Sequence, residues 1–183
     1  GNGKVEAGAD HKFDRDEFKN VGLRINQGIG EVGSIGVYYY TGEERSASWN
    51  QFTNEITYYG PDLSLGVGPL DFTAQYLIRD DSNPLFNNTT TDIRTQGIVA
   101  ELIFAPKQDR SRWYLTALYN RITSELDDYP DAVENAGASL LDYHTATLSG
   151  TYLLSRNLRL LAEYTRDLER DSNWFTVGFV TAY

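Results

Sequence analysis

The sequence predicts an all-β protein, and three features carry that prediction. Apolar and polar residues alternate with a period of two in one segment after another, which is the pattern of a strand with one apolar face. No segment shows a convincing period of 3.6 residues, so long amphipathic helices are not expected. The final segment, residues 173–183, also alternates and ends on an aromatic residue, where most chains fray.

The first half of the chain contains five predicted strands, at residues 4–13, 21–30, 34–44, 51–68 and 70–79. In the second of these, Leu23 and Ile25 share one face and alternate with Arg24. The fourth is long and contains Gly60 and Pro61. Because proline cannot donate to a sheet ladder, we expect a register break at that point.

The second half continues the pattern, with predicted strands at residues 97–105, 112–121, 143–154, 157–166 and 173–183. In the strand at 97–105, Ile98 and Leu102 lie on one face and Glu101 on the other. The strand at 112–121 is less clear, because both of its faces carry aromatic residues. About ten strands are therefore expected.

The connections between the strands alternate in length and character. Short ones fall at residues 31–33, 67–70, 106–112 and 154–157. Mostly longer ones, acidic or rich in Asn, Ser and Thr, fall at residues 14–17, 43–50, 80–92, 124–139 and 168–172. This alternation is typical of a barrel threaded through a membrane, with tight turns on the periplasmic side. Residues 1–183 are thus predicted to form one antiparallel transmembrane β-barrel with both termini periplasmic, closed because lipid does not tolerate an open sheet edge.

Composition excludes several classes of function. The chain carries 16 Lys and Arg against 26 Asp and Glu, so its formal net charge of -10 argues against binding nucleic acid. It contains no Cys, which excludes a disulfide framework, a thiolate metal site and covalent haem attachment in this chain. No apolar run approaches the roughly 18 residues of a transmembrane helix. We predict no cofactor, no metal site and no enzymatic activity.

The terminal stretch FTVGFVTAY resembles the carboxy-terminal assembly signal of bacterial outer-membrane β-barrels of the porin type. The residues that match the signal are Phe175, Val177, Phe179 and Tyr183. The resemblance implies a location in the bacterial outer membrane. It also implies outer-membrane lipid, lipopolysaccharide and the barrel assembly machinery as partners, and a function as a non-enzymatic pore or a wall around a partner.

A second, looser resemblance concerns DLSLGVGPLDFTAQYLIRDDSNP at residues 62–84. This stretch is similar to strand pairs in the porin-like subunits that sheathe periplasmic cytochromes in electron-conducting bacteria. The resemblance implies a multihaem cytochrome as a further partner. The haems would then belong wholly to that partner.

The polar positions of the strands are predicted to line the lumen. They are Lys4, Glu6, Asp10, Arg24, Glu101, Arg159 and Glu163. In a closed barrel of ten strands these side chains would form ion pairs that fill a narrow interior. The chain begins almost directly in a predicted strand, so it could also be the carboxy-terminal part of a wider barrel. The same residues would then line an aqueous pore.

An enzyme is the alternative from a different class. Asp142 and His144 are two apart and share one face of a strand, which is the start of a water-activating pair. Omptin proteases use such a pair opposite a second acidic pair. Asp80 and Asp81 are adjacent and would face opposite ways, so they do not reproduce that second pair. Outer-membrane lipases have Ser two residues after His, where this chain has Ala146.

Three further interpretations concern the acidic loops, the aromatic residues and whether the chain is a soluble protein. The acidic loops could supply oxygen ligands to Ca²⁺ or Mg²⁺, but none has the spacing of an EF-hand. The aromatic residues fit interfacial girdles, with a sugar-stacking ladder as the alternative. They are Tyr38, Tyr39, Tyr58, Tyr59, Tyr76, Trp113, Tyr114, Tyr152, Tyr164, Trp174 and Tyr183.

The third interpretation is that the chain is a soluble lipocalin-like binder, with its apolar face inward.

Overall fold

The described part of the chain folds as one antiparallel sheet in which the strands follow each other in chain order. The computed structural model describes residues 20–45, 52–86, 92–129 and 142–181. The strands are β1 Val21–Ile29, β2 Gly33–Arg45, β3 Thr53–Val67, β4 Leu70–Asp81, β5 Ile93–Phe104, β6 Trp113–Ser124, β7 Tyr143–Ser155, β8 Leu158–Asp167 and β9 Ser172–Thr181. Within these residues, the helical elements are two short 3₁₀ helices, Gln108–Arg110 and Glu125–Asp128.

The all-β prediction is confirmed, whereas the expected closed barrel is not found. The nine strands form an open sheet, with β1 and β9 as its two edges. Nine is an odd number, so β1 and β9 run in the same direction. Direct closure would therefore need a parallel pair, although every other neighbouring pair is antiparallel. The predicted strand at residues 4–13 lies outside the described residues.

The sheet has no second layer over either face in the described part of the chain. Substantial contacts join each strand to its sheet neighbours, and the 3₁₀ helix Glu125–Asp128 to β5. The buried hydrophobic residues are few: Ile56, Ile93, Ala105 and Leu126. Ile93 and Leu126 form a small cluster beneath one loop, with Leu85 packed against it. Most of the apolar side chains are therefore not covered by the chain's own described residues.

The connections lie at two opposite ends of the sheet. We call one end, with residues 30–32, 68–69, 105–112 and 156–157, the short-turn end. The other, at which β2, β4, β6 and β8 end and β3, β5, β7 and β9 begin, is the long-loop end. The predicted alternation of length holds with two exceptions. Residues 105–112 include a 3₁₀ helix, whereas residues 168–171 form a tight turn in which the Asp167 carboxylate accepts hydrogen bonds from two backbone amides.

The register break expected at Gly60 and Pro61 is wrong. Strand β3 runs through both residues, and its register with β4 is the same on either side of them. The missing proline N–H is compensated locally, because the Tyr38 hydroxyl donates a 3.0 Å hydrogen bond to the carbonyl oxygen of Tyr76. That carbonyl lies so close to Gly60 that a Cβ there would be 1.8 Å from its oxygen. The register shift that does occur is in the β7–β8 pair, between Leu153 and Ser155.

Replacing Gly60 by alanine is expected to lower the free energy of unfolding by about 1–3 kcal/mol, because a backbone carbonyl must move. The matched control is Gly150→Ala, whose Cβ would lie 3.7 Å from Leu115 Cδ2, an ordinary contact. Unfolding by guanidinium in detergent micelles, followed by fluorescence, measures both variants. Equal losses in the two variants would contradict the close approach at Gly60.

Candidate functional site

The register divides the sheet into two faces of different chemistry, because paired residues point the same way. The apolar face carries these large side chains: Val21, Leu23, Ile25, Ile35, Val37, Leu65, Phe72, Ile98, Leu102, Phe104, Leu115, Leu148, Leu160, Phe175, Val177 and Phe179. Many are exposed, with Val177 at 70% and Phe179 at 72%. An exposed apolar surface across all nine strands is far larger than the patches that soluble monomers tolerate.

Three residues of the predicted assembly signal lie on this apolar face. Phe175, Val177 and Phe179 alternate along β9, and each pairs with an apolar-face residue of β8. Tyr183 lies outside the described residues.

Aromatic and polar residues border the apolar face. Toward the short-turn end, Trp113 pairs with Tyr152, and its ring lies 5.8 Å from that of Phe104. Toward the long-loop end the apolar face carries Tyr39, Tyr59, Tyr76, Tyr119 and Tyr164, and beyond them Asp80, Arg94, Arg121, Arg166 and Asn173. The face is thus an apolar band between two aromatic borders.

Several aromatic residues grouped together by sequence reasoning lie on the opposite face. Tyr38, Tyr58, Tyr114 and Trp174 project from the polar face, so they cannot belong to the same girdle as the others. Period-two alternation alone separates Tyr38 from its neighbour Tyr39. The alternation in the sequence therefore separates the aromatic residues of the two faces.

The polar face contains four of the residues predicted to line a lumen: Arg24, Glu101, Arg159 and Glu163. They belong to β1, β5 and β8, and their paired neighbours are mostly Ser, Thr or apolar residues. The expected network of ion pairs among them is therefore not formed in the described sheet. Lys4, Glu6 and Asp10 lie outside the described residues.

Arg24 forms an ion pair with a residue two strands away, which the sequence did not predict. Its Nη2 lies 2.8 Å from Asp62 Oδ1, so the ion pair crosses from β1 to β3 over β2. The position crossed is Gly36, where a Cβ would lie 2.7 Å from Asp62 Oδ2. A glycine at this position leaves room for the bridge.

A buried polar cluster lies on the polar face near the long-loop end. Arg79 Nη2 donates to Asp81 Oδ1 over 2.6 Å, and Arg79 Nη1 donates to the Tyr58 hydroxyl over 2.7 Å. The guanidinium also lies 5.2 Å from the centroid of the Tyr58 ring. Asn54 Nδ2 donates to the same Asp81 oxygen over 2.8 Å. The Asp81 side chain is only 4% exposed, so its charge depends on these partners.

The neighbouring Asp80 points the other way, as its place next to Asp81 predicted. On the apolar face it pairs with Arg94, whose Nε lies 2.7 Å from Asp80 Oδ1. Both side chains of this pair are exposed. The sheet therefore carries two Arg–Asp pairs at the same end, one buried on the polar face and one exposed on the apolar face.

The Asp142 and His144 pair considered for catalysis has structural contacts. Asp142 Oδ1 accepts a 2.9 Å hydrogen bond from the backbone N–H of Ser124. His144 pairs with Arg121 on the apolar face, and its ring packs edge-on against Tyr119 at 5.4 Å. The imidazole therefore lies on the apolar face, beside Arg121.

The polar face also carries an apolar patch at its centre. Leu77, Gly97 and Ile122 are paired across β4, β5 and β6, and Val99 lies next to them on β5. Val99 is 45% exposed and Ile122 is 38% exposed. A surface that met only water would gain nothing from these side chains.

A concave site lies beside the buried polar cluster, also on the polar face. It has a volume of about 420 Å³ and is lined by Tyr38, Tyr40, Tyr58, Glu44, Asn20 and Gly42, among others. The Tyr40 and Tyr58 rings are 5.8 Å apart and tilted by 54°. We call this site the tyrosine cradle.

The described residues contain neither a candidate metal cluster nor a helix that could span a membrane. No group of three or more His, Asp or Glu side chains there could hold a metal ion. No helix in that part of the chain has the length and apolar character needed to cross a membrane. Comparisons with protein families, with curated proteins and with solved structures found no match.

Proposed function

We propose that this chain is part of the wall of a bacterial outer-membrane β-barrel, with its apolar face toward lipid and its polar face toward the interior. The observation that carries the proposal is the exposed apolar face, which crosses all nine strands between two aromatic borders. Girdles of Tyr and Trp at headgroup depth flank an apolar band in barrels of this kind.

The magnitude of the apolar exposure supports a lipid environment. Fully burying a Val, Leu, Ile or Phe side chain is worth about 1.5–3 kcal/mol, and the exposed side chains of the apolar face still have about half of their surface uncovered, so covering ten of them is worth on the order of 8 kcal/mol at the low end. That is comparable with the whole stability of a typical domain, about 5–15 kcal/mol. The single-layer sheet is therefore expected to fold where lipid covers this face.

The interior of the barrel is either an open pore or is occupied by a partner. The charged residues of the polar face suit water, which favours a pore for small solutes. The patch around Val99 and Ile122 favours a second candidate, a wall packed around a protein partner. The sequence resemblance suggests a multihaem cytochrome for that partner, bound without covalent haem attachment to this chain.

Vesicle reconstitution tests the proposal. The full chain is refolded into phosphatidylcholine vesicles that contain a trapped small dye, washed with alkaline carbonate and floated on a density gradient. We expect the chain to float with the vesicles after the wash, as an integral membrane protein does. A folded chain that stays in solution without detergent would contradict the proposal and favour the lipocalin-like alternative.

The same vesicles show whether the interior is open. Release of the trapped dye by the inserted chain indicates an open interior, which both candidates predict because no partner is present. Vesicles that stay sealed although the chain is inserted would contradict both candidates and favour a narrow interior filled by the chain's own side chains.

A further inference from the structure

An apolar groove crosses β6, β7 and β8 on the apolar face, near the short-turn end. It has a volume of about 340 Å³, and its lining is predominantly apolar. Gly150 lies in this groove, paired with Leu115 on one side and with Ala162 on the other. We call it the Gly150 groove. The next row of the same three strands also lines it, with Trp113, Tyr152 and Leu160.

The space in the groove is present because Gly150 has no side chain. A Cβ there would lie 3.7 Å from Leu115 Cδ2, an ordinary contact, so the fold itself leaves room for a larger residue. The backbone of Gly150 is not among those with a positive φ either. Glycine in the interior of a strand weakens the strand and often marks a place that a ligand approaches closely.

Arginine side chains lie at the short-turn end of the groove. Arg112 directly precedes Trp113, and its Nη2 donates a 3.1 Å hydrogen bond to the carbonyl oxygen of Leu154. Arg156 lies two residues after Leu154, in the turn between β7 and β8. Arg110 lies in the 3₁₀ helix that precedes β6. Within the described residues, none of these three guanidinium groups forms an ion pair.

The arginines of the long-loop end behave differently. Arg79, Arg94 and Arg166 there each have a carboxylate partner. The chain carries a formal net charge of -10, so carboxylates are in excess. Arginines without one at the opposite end therefore form a local positive surface, which attracts anions. An apolar groove that ends at such a surface suits an amphiphile with a hydrocarbon chain and an anionic head.

We propose that the Gly150 groove binds an anionic glycerophospholipid, with one acyl chain over Gly150 and the phosphate at Arg112 and Arg156. Guanidinium groups bind phosphate through charge-assisted hydrogen bonds. The rings of Trp113 and Tyr152 suit the depth at which chain and headgroup join. The inference rests on the proposed function in one respect, since the apolar face must meet lipid. It adds a site selective for one class of lipid.

A second copy of the chain is a less favourable occupant of the groove. Two copies in a membrane, related by a twofold axis along its normal, would meet with the same ends side by side. Arg112 and Arg156 of both copies would then lie close together and repel each other. A lipid phosphate at the same place would be attracted by them.

Quenching of Trp113 by brominated lipid tests the site, because this side chain lines the groove. In the background Trp49→Phe and Trp174→Phe, the full chain is folded into phosphatidylcholine vesicles at low salt. A small fraction of the lipid is brominated on one acyl chain and is either phosphatidylglycerol or phosphatidylcholine. We expect the brominated phosphatidylglycerol to quench Trp113 at a mole fraction at least about fivefold lower. Val37→Trp with Trp113→Phe reports lipid elsewhere on the apolar face and should show no such preference.

Two pairs of variants separate the head and the chain of the lipid. Arg112→Gln should reduce the preference for phosphatidylglycerol about fivefold. Arg121→Gln is its matched control, on the apolar face of the same strand but toward the long-loop end, and should leave the preference unchanged. Gly150→Val should fill the groove and abolish the preference. Its control is Gly97→Val on the polar face, where a Cβ would lie 3.8 Å from Ile122 Cγ1.

The proposal is overturned if the two brominated lipids quench Trp113 equally, or if the tryptophan at position 37 shows the same preference as Trp113. It is also overturned if Trp113 is quenched only after the protein is diluted in lipid, which would indicate a second copy in the groove. If Gly150→Val fails to insert, Arg112→Gln and its control decide. Flotation after the carbonate wash reports insertion separately, so an inserted chain without lipid preference contradicts the lipid site and leaves the wall intact.

Discussion

Replacing Arg79 by glutamine is expected to lower the free energy of unfolding by about 3 kcal/mol. The reason is that Asp81, only 4% exposed, loses the guanidinium that compensates its charge. Removing one partner of a buried ion pair costs about 3–5 kcal/mol because the other charge stays buried. We expect the lower end, since Asn54 still donates to Asp81 and Arg79 is itself partly exposed. Chemical unfolding in micelles measures the change.

Arg94→Gln is the matched control for that experiment. It breaks the Arg94–Asp80 pair at the same end of the sheet, but both side chains are exposed there. Exposed ion pairs contribute about 0–1 kcal/mol, so little change is expected. A loss at Arg94 as large as that at Arg79 would show that burial on the polar face does not decide the effect.

Replacing Leu148 by arginine is expected to lower the free energy of unfolding from a bilayer by about 2–4 kcal/mol. Leu148 lies in the middle of β7 on the apolar face and is well exposed. A cation placed there would meet hydrocarbon in the proposed barrel, whereas in water it would be harmless. Urea titration of the protein in phosphatidylcholine vesicles measures the change.

Ser149→Arg is the control on the opposite face of the same strand. Ser149 pairs with Glu163, so the new cation would meet a carboxylate and water. We expect a change of less than about 1 kcal/mol, as for other exposed charges. Equal losses at both positions, or a larger loss at Ser149, would contradict the assignment of the faces.

Period-two alternation was sufficient to predict most strands, because a single-layer sheet with one apolar face places the same demand on every strand. The pattern of β6 was ambiguous because both of its faces carry aromatic residues, yet this strand also has one apolar face, with Trp113, Leu115 and Ala117. The polar connections located the loops, but several strands extend beyond their predicted ends: β4 ends at Asp81, β5 begins at Ile93 and β6 ends at Ser124. Closure did not follow, because local alternation says nothing about how the first and last strands meet.

The polar cluster and the Arg24–Asp62 bridge could not be predicted from local patterns. Each depends on the register between strands far apart in sequence, and the alternation of one strand does not determine that register. The sequence placed Asp80 and Asp81 in a loop, whereas in the structure β4 extends to Asp81. The register is uninterrupted at Pro61, and the Tyr76 carbonyl opposite the proline accepts a hydrogen bond from Tyr38, a residue of another strand.

The central claim, that the apolar face meets lipid and the polar face does not, is tested most directly by fluorescence quenching. In a background in which Trp49, Trp113 and Trp174 are replaced by Phe, a single tryptophan is introduced as Leu148→Trp or as Ser149→Trp. Each protein is folded into vesicles of lipid brominated in mid-chain. We predict strong quenching of the tryptophan at position 148 and little at position 149. Equal quenching at the two positions, or stronger quenching at 149, would contradict the account.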